Sequence, residues 1–232
     1  MYHTRKLLSF LVGVLCVMEP LSAQINTKPN ILFCIADDAS WEHMSAYGRH
    51  RWVKTPVFDK IAKEGLLFEK AYTPNAKCAP SRASILTGRN PWQLEAAGNH
   101  NPVFPAKFTT FMEVFAANGY ATGFTGKGWG PGDAGTYSNG EPRELTGPEY
   151  NRLTLTAPTA YISNIDYAAN FDEFLKQNTE NKPFVFWVGG REPHRRYEYG
   201  SGISKGEKRL DDIDHVPPFW MDDTVTRTDM LD

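Results

Sequence analysis

The chain has 232 residues, 41% of them hydrophobic and 22% charged, with a formal net charge of −2. That length supports one domain with a sizeable core, and the apolar share fits a globular protein. A nearly balanced charge gives no global attraction to polyanions, which argues against nucleic acid as a partner and leaves any anionic ligand to a few local cations.

The opening stretch reads as an export signal. Arg5 and Lys6 form a basic start, Leu7 to Met18 an apolar run short for a bilayer span, and Leu21-Ser22-Ala23 a small-residue cleavage site before Gln24. Cys16 follows the bulky Leu15, which disfavours a lipid anchor. The expectation is a signal peptide over 1–23, a domain over 24–232, a secreted or periplasmic protein and no stable membrane span.

Asn30 to Ala36 (NILFCIA) is a continuous apolar run of the kind that forms a central parallel strand covered on both faces, with Cys34 as a small core residue. Thr55-Pro56 opens a helix with proline at its first position; Val57, Phe58, Ile61 and Ala62 share one face, and Gly65 stops it. Leu66 to Ala71 reads as a second strand. A helix over Thr110 to Asn118, ended by Gly119, precedes a strand at Ala121 to Thr125. Gly128 to Leu153, rich in glycine, proline and polar residues, reads as surface loop. Ile165, Ala168, Phe171, Phe174 and Leu175 mark an amphipathic helix, and Phe184 to Val188 (FVFWV) another buried strand. The fold class is α/β, with a mixed, mostly parallel central sheet flanked by helices. Nothing in the composition splits the chain into further domains.

The chemistry gathers near the ends of these strands. Asp37-Asp38 follows the first one, where ligands bind in open α/β sheets. Two adjacent carboxylates repel, and a divalent cation, calcium or magnesium, keeps both ionised; taken alone, the pair is more often a solvated turn with a helix cap. Further on, Pro80 starts a short helix with body Ser81 to Leu86 and stop Gly88. Cys78 then lies at the helix amino terminus, where unpaired N–H groups and the macrodipole favour negative charge, with Arg82 and Arg89 adding cations.

Cys78 to Gly88 resembles the signature of the type I sulfatases of the alkaline phosphatase superfamily: Cys or Ser, any residue, Pro, Ser, Arg, three variable residues, Leu-Thr-Gly. Within that family the chain looks most like the heparan N-sulfatase group, through Leu66-Leu67-Phe68, Ala71-Tyr72-Thr73, Gly126-Lys127 and Glu192-Pro193-His194-Arg195. The resemblance implies an alkaline phosphatase-like fold. It also implies that Cys78 is oxidised to formylglycine by a formylglycine-generating or sulfatase-maturating enzyme, and that the hydrated aldehyde attacks the sulfur of a sulfated glycan, heparan-type glucosamine sulfate in particular. Asp37, Asp38 and the modified Cys78 would bind Ca2+ or Mg2+. Arg82 would brace that centre, Lys127 would reach sulfate oxygens, and His194 would contact substrate and donate a proton to the leaving group. His43, His50, His100 and His215 receive no role.

Two departures carry weight. The family usually has a histidine two residues after the lysine, whereas here the order is Lys127-Gly128-Trp129, with Trp129 a packing residue or a sugar-stacking wall, packing being favoured. The family's remaining metal ligands, an Asp-Asn or Asp-His pair, and a second lysine come from beyond the equivalent of Asp232. Val216-Pro217-Pro218 to Asp222-Asp223 resembles the approach to its next helix. The chain is therefore expected to be the amino-terminal part of a sulfatase catalytic domain, incomplete at its carboxyl end, and weakly active or inactive alone. Two alternatives stay open: a phosphodiesterase or phosphonate hydrolase of the same superfamily, and a non-catalytic remnant that binds sulfated glycans.

Overall fold

A computed structural model describes residues 28–232. The signal-peptide reading falls outside the described residues. Three strands, β1 (Ile31–Ile35), β2 (Ala121–Gly126) and β3 (Phe184–Gly189), form one parallel sheet in the order β1-β3-β2. Six α-helices accompany them among the described residues: α1 (Pro56–Glu64), α2 (Cys78–Thr87), α3 (Phe111–Ala117), α4 (Tyr167–Gln177), α5 (Ser201–Ser204) and α6 (Thr224–Leu231). No described helix is long and apolar enough to cross a membrane.

The central strand is β3, not β1. Val185, Phe186 and Trp187 are fully buried, as expected of a strand flanked by parallel neighbours and covered on both faces. On one side Val185 and Trp187 join the main core with Ala83, Leu86, Leu94, Phe104 and Met112. On the other, Phe186 packs against Phe171 and Phe174 of α4, with ring centroids 4.9 and 4.6 Å away. The apolar run Asn30 to Ala36 is instead an edge strand of the described sheet. Leu32 is 49% exposed and Cys34 is exposed, so Cys34 is no core residue; both described cysteines are free thiols.

Several elements follow local rules. Thr110 caps α3 in a reciprocal box: its hydroxyl accepts from the Glu113 amide at 3.2 Å, and the Glu113 carboxylate accepts from the Thr110 amide at 2.8 Å. Pro56 starts α1, and Gly65 follows its last residue. Asp223 caps α6 by accepting from the Thr226 amide at 2.8 Å, so the proline-rich approach does lead into a helix.

Two expectations fail on packing. Leu66 to Ala71 forms no strand; it runs as exposed irregular chain, with Leu66 87% exposed. The segment Gly128 to Leu153 is irregular but not merely surface, because Leu145 and Thr146 are buried and Arg143 forms a buried ion pair with Glu113 at 2.8 Å. Its glycines and prolines mark the absence of regular structure, which is a different property from exposure.

Candidate active site

The register sets the site. Ile35 pairs with Gly189 and Gly126 pairs with Gly189, so all three strands end side by side at their carboxyl edges. Asp37 leaves β1 two residues later and Lys127 leaves β2 one residue later. The two chains after β2 and β3 pass unusually close: the Lys127 amide donates to the Gly189 carbonyl at 2.7 Å. Only glycine tolerates this approach. A Cβ at Gly126, whose φ is +77°, would collide with the Gly189 carbonyl, and one at Gly189 with the Lys127 carbonyl.

Into this edge points the amino terminus of α2, with Cys78 as its first residue and Pro80 in its first turn, where a missing N–H leaves no helical bond unmade. Gly88 closes the helix in the left-handed conformation, φ +67°. Ala79, Pro80, Ala83 and Leu86 seat the helix in the core, which fixes the position of Cys78.

Asp37 lies at the centre of the cluster, 5% exposed. One oxygen accepts from the Arg82 guanidinium at 3.0 Å, and the other is bound by the Lys127 ammonium. Burial pushes the Asp37 carboxyl up, but the hydrogen bonds from Lys127 and Arg82 outweigh it and hold the group below its ordinary value. The Lys127 ammonium also donates to Cys78 Sγ at 3.1 Å, and that sulfur lies 3.9 Å from Asp37 Oδ1. Arg82 is buried; its second nitrogen donates to the Lys127 and Gly128 carbonyls at 2.8 and 3.0 Å.

Asp38 turns away. Its φ of +63° is one that aspartate tolerates better than most residues, and it sends the side chain outward, 61% exposed. There Asp38 Oδ2 lies 3.6 Å from His194 Nε2. His194 Nδ1 contacts the Arg195 carbonyl, and the other ring nitrogen, Nε2, faces Asp38. Asp37, Cys78 and His194 each offer a ligand atom, all within 4.8 Å of one another. This donor set fits a divalent cation. The Asp37 carboxylate suits a hard ion such as calcium or magnesium, whereas a thiol and an imidazole suit a softer one, so an oxygen in place of the Cys78 sulfur would move the set towards the hard ions.

Trp129 packs. Its ring meets Phe104 edge-on at 5.2 Å and its indole N–H donates to the Ala79 carbonyl at 3.2 Å, one residue from Cys78. His100 lines the cleft beside Cys78, whereas His43, His50 and His215 form a separate ring cluster with Trp52. The cleft holds about 800 Å3 and is lined also by Arg195, which the sequence named only within the Glu192 to Arg195 segment, and by Tyr161, Arg191 and Arg196, which it did not single out.

The sulfatase family model matches residues 29–224. The chain belongs to the sulfatase family. Human iduronate 2-sulfatase is 32% identical over 230 residues, covering 85% of this chain and 42% of that protein. N-acetylgalactosamine-6-O-sulfatase of Bacteroides thetaiotaomicron is 35% identical over 153 residues, covering 60% of this chain and 30% of that protein. The chain thus spans less than half the length of these curated relatives. Among solved structures, Ps i-CgsB in complex with k-i-k-neocarrahexaose matches with a TM-score of 0.54 at 20% identity, covering 88% of this chain and 52% of that one. The phosphonate monoester hydrolase of Agrobacterium radiobacter matches with a TM-score of 0.52 at 19% identity, covering 72% of this chain and 42% of that one. These likenesses establish the α/β fold of this sulfatase-family chain.

Proposed function

We propose that this chain carries the nucleophile side of a formylglycine-dependent sulfatase site that releases sulfate from sulfated glycans, with Cys78 as the residue oxidised by a maturation enzyme. The reading rests on one arrangement: Cys78 Sγ at a helix amino terminus, 3.1 Å from the Lys127 ammonium and 3.9 Å from Asp37. A serine in that place would be left esterified after attack, whereas the hydrated aldehyde supplies a second hydroxyl whose deprotonation expels the sulfate. A bound divalent cation, calcium or magnesium, would be held by Asp37 and the oxidised residue 78, with Asp38 joining them only after turning inward, and would stabilise charge on the transferring sulfuryl group.

The remaining side chains have roles that follow from their contacts. Lys127 places a point charge beside residue 78, where the sulfate oxygens of a substrate would gather. Arg82 fixes Asp37 and the backbone that carries Lys127, so it orients both. His194 lines the cleft and, in its protonated form, would give a proton to the departing sugar oxygen or nitrogen. Substrate preference is the finer part of the proposal. The heparan N-sulfatase-like segments favour glucosamine sulfate, while the relatives found above are named for O-sulfates on other sugars. Secretion or periplasmic export follows from the amino-terminal sequence.

The test is production with a formylglycine-generating enzyme, followed by mass analysis of the peptide around Cys78 and calcium-dependent sulfate release from N-sulfated and O-sulfated glucosamine. Aldehyde at residue 78 with turnover that disappears in Cys78→Ala supports the proposal. Unmodified Cys78 would sink it, and preference for a phosphonate ester would replace it with the phosphonate hydrolase reading.

A further inference from the structure

We infer that Tyr161 and Arg196 form a glycan subsite that holds an anionic sugar unit next to the one bearing the reactive sulfate. The inference builds on the sulfatase reading of the same cleft. Tyr161 lines the cleft that Cys78, Lys127 and His194 also line, and the residue is 65% exposed. Its backbone φ is +71°, a region that bulky residues rarely enter. An exposed aromatic held in such a conformation needs a rigid frame, and the frame is present. The Ser163 amide donates to Glu192 at 2.8 Å, the Ala160 amide and the Thr159 hydroxyl donate to Glu198 at 3.2 and 2.6 Å, and Lys205 bridges to Glu198 at 2.5 Å. Glu192 and Glu198 belong to the segment that follows β3, so the Tyr161 loop is fastened to the segment carrying His194.

Arg196 lies over the Tyr161 ring at 4.9 Å from its centroid. The neighbouring Arg195 is committed to Asp229 at 2.5 Å. Among the described residues, Arg196 makes no ion pair with a carboxylate, and neither does Arg191 on the same cleft wall. The result is a ring with a guanidinium over one face, its other face left for a sugar, and a guanidinium fork with unused donors. That combination matches a pyranose whose C–H face stacks on Tyr161 while a carboxylate or sulfate on the same sugar accepts from Arg196. The cleft volume of about 800 Å3 accommodates more than a single sulfated sugar.

Calorimetry on the full chain, in wild-type and Cys78→Ala forms, tests this with disaccharides that carry no reactive sulfate. One has a uronate carboxylate on the neighbouring sugar, one has a sulfate there, and one has the neutral alcohol. The wild type should bind at least one charged disaccharide about fivefold tighter than the neutral one, and the tighter of the two identifies the anion. Arg196→Gln should erase that preference. Tyr161→Gly, which also relieves the backbone, should weaken all three about fivefold, and Tyr161→Phe should restore them. Equal binding of charged and neutral ligands, no binding, or indifference to both substitutions overturns the subsite. Because these ligands are not hydrolysed, intact discrimination without sulfate release from any substrate would reject the hydrolase reading alone.

Discussion

The Arg82 guanidinium and the Asp37 carboxylate form a buried ion pair at 3.0 Å, and the same guanidinium grips the Lys127 and Gly128 carbonyls. One side chain on α2 therefore ties together the chain leaving β1, the chain leaving β2 and the helix that presents Cys78. Removing such charges from water is costly, and the pair is stable only because further hydrogen bonds occupy the remaining donors.

Arg82→Ala should accordingly cost about 3–5 kcal/mol, since it leaves Asp37 buried with Lys127 as its only cation. Arg82→Lys should recover only part, because an ammonium cannot reach the carboxylate and both carbonyls as a planar fork does. Urea denaturation of the three proteins measures this; an Arg82→Ala midpoint equal to wild type would contradict it.

The pH dependence of stability follows from Asp37. Burial raises its pKa, but Lys127 and Arg82 prevail and the folded value lies below the unfolded one, about 3.9. A depressed carboxylate adds stability that is fully present above the unfolded value and is lost as pH falls through the folded value. In metal-free protein, the urea midpoint should therefore drop on the acid side of about pH 4, and Asp37→Asn should be less stable near neutrality with a flatter acid limb. Parallel curves for the two proteins would show that Asp37 does not make this contribution.

How much of this was legible in the sequence depended on whether the deciding interaction was local. α3 was read correctly between Thr110 and the glycine that stops it, and the Thr110–Glu113 box that caps it in the structure lies within four residues. β3 was legible because burial on both faces leaves an uninterrupted apolar run. The same signature misplaced β1, whose run is as apolar but whose alternate residues Leu32 and Cys34 face outward, since apolarity does not reveal which strand has two neighbours. Asp37, Cys78 and Lys127 could be placed near strand ends and a helix start, and the structure brings them together. The Tyr161–Arg196 pair could not be found this way: nothing local to a tyrosine predicts φ above zero, and the Glu192 and Glu198 carboxylates that fasten its loop are about 30 to 40 residues away.

Gly189→Ala should damage the site from behind. The new Cβ would meet the Lys127 carbonyl, which already accepts from Arg82 at 2.8 Å and from the Trp187 indole at 3.0 Å and so has little room to retreat. Overpacking of this kind costs about 1–3 kcal/mol. The shift should also carry Lys127 away from Cys78, lowering sulfate-ester kcat/KM in the matured enzyme at least about tenfold. Unchanged stability together with unchanged turnover would be inconsistent with the close approach of β2 and β3.

Trp129 provides a final prediction, because its position two residues after Lys127 invites a role in sugar binding. Its indole N–H is spent on the Ala79 carbonyl and its ring on Phe104, so both ends of the side chain serve the seat of α2. Trp129→Phe keeps most of the packing and loses the hydrogen bond, for a cost of about 1 kcal/mol. Trp129→Ala should cost about 2–4 kcal/mol, somewhat under the full value for a core tryptophan because the ring is half-buried. Neither change should alter the affinity for disaccharides without a reactive sulfate, which depends on Tyr161 in the cleft, whose lining does not include Trp129. A drop in that affinity in Trp129→Phe, at a temperature where the variant is fully folded, would return Trp129 to the sugar-binding surface and weaken the case that it replaced the family histidine for reasons of packing.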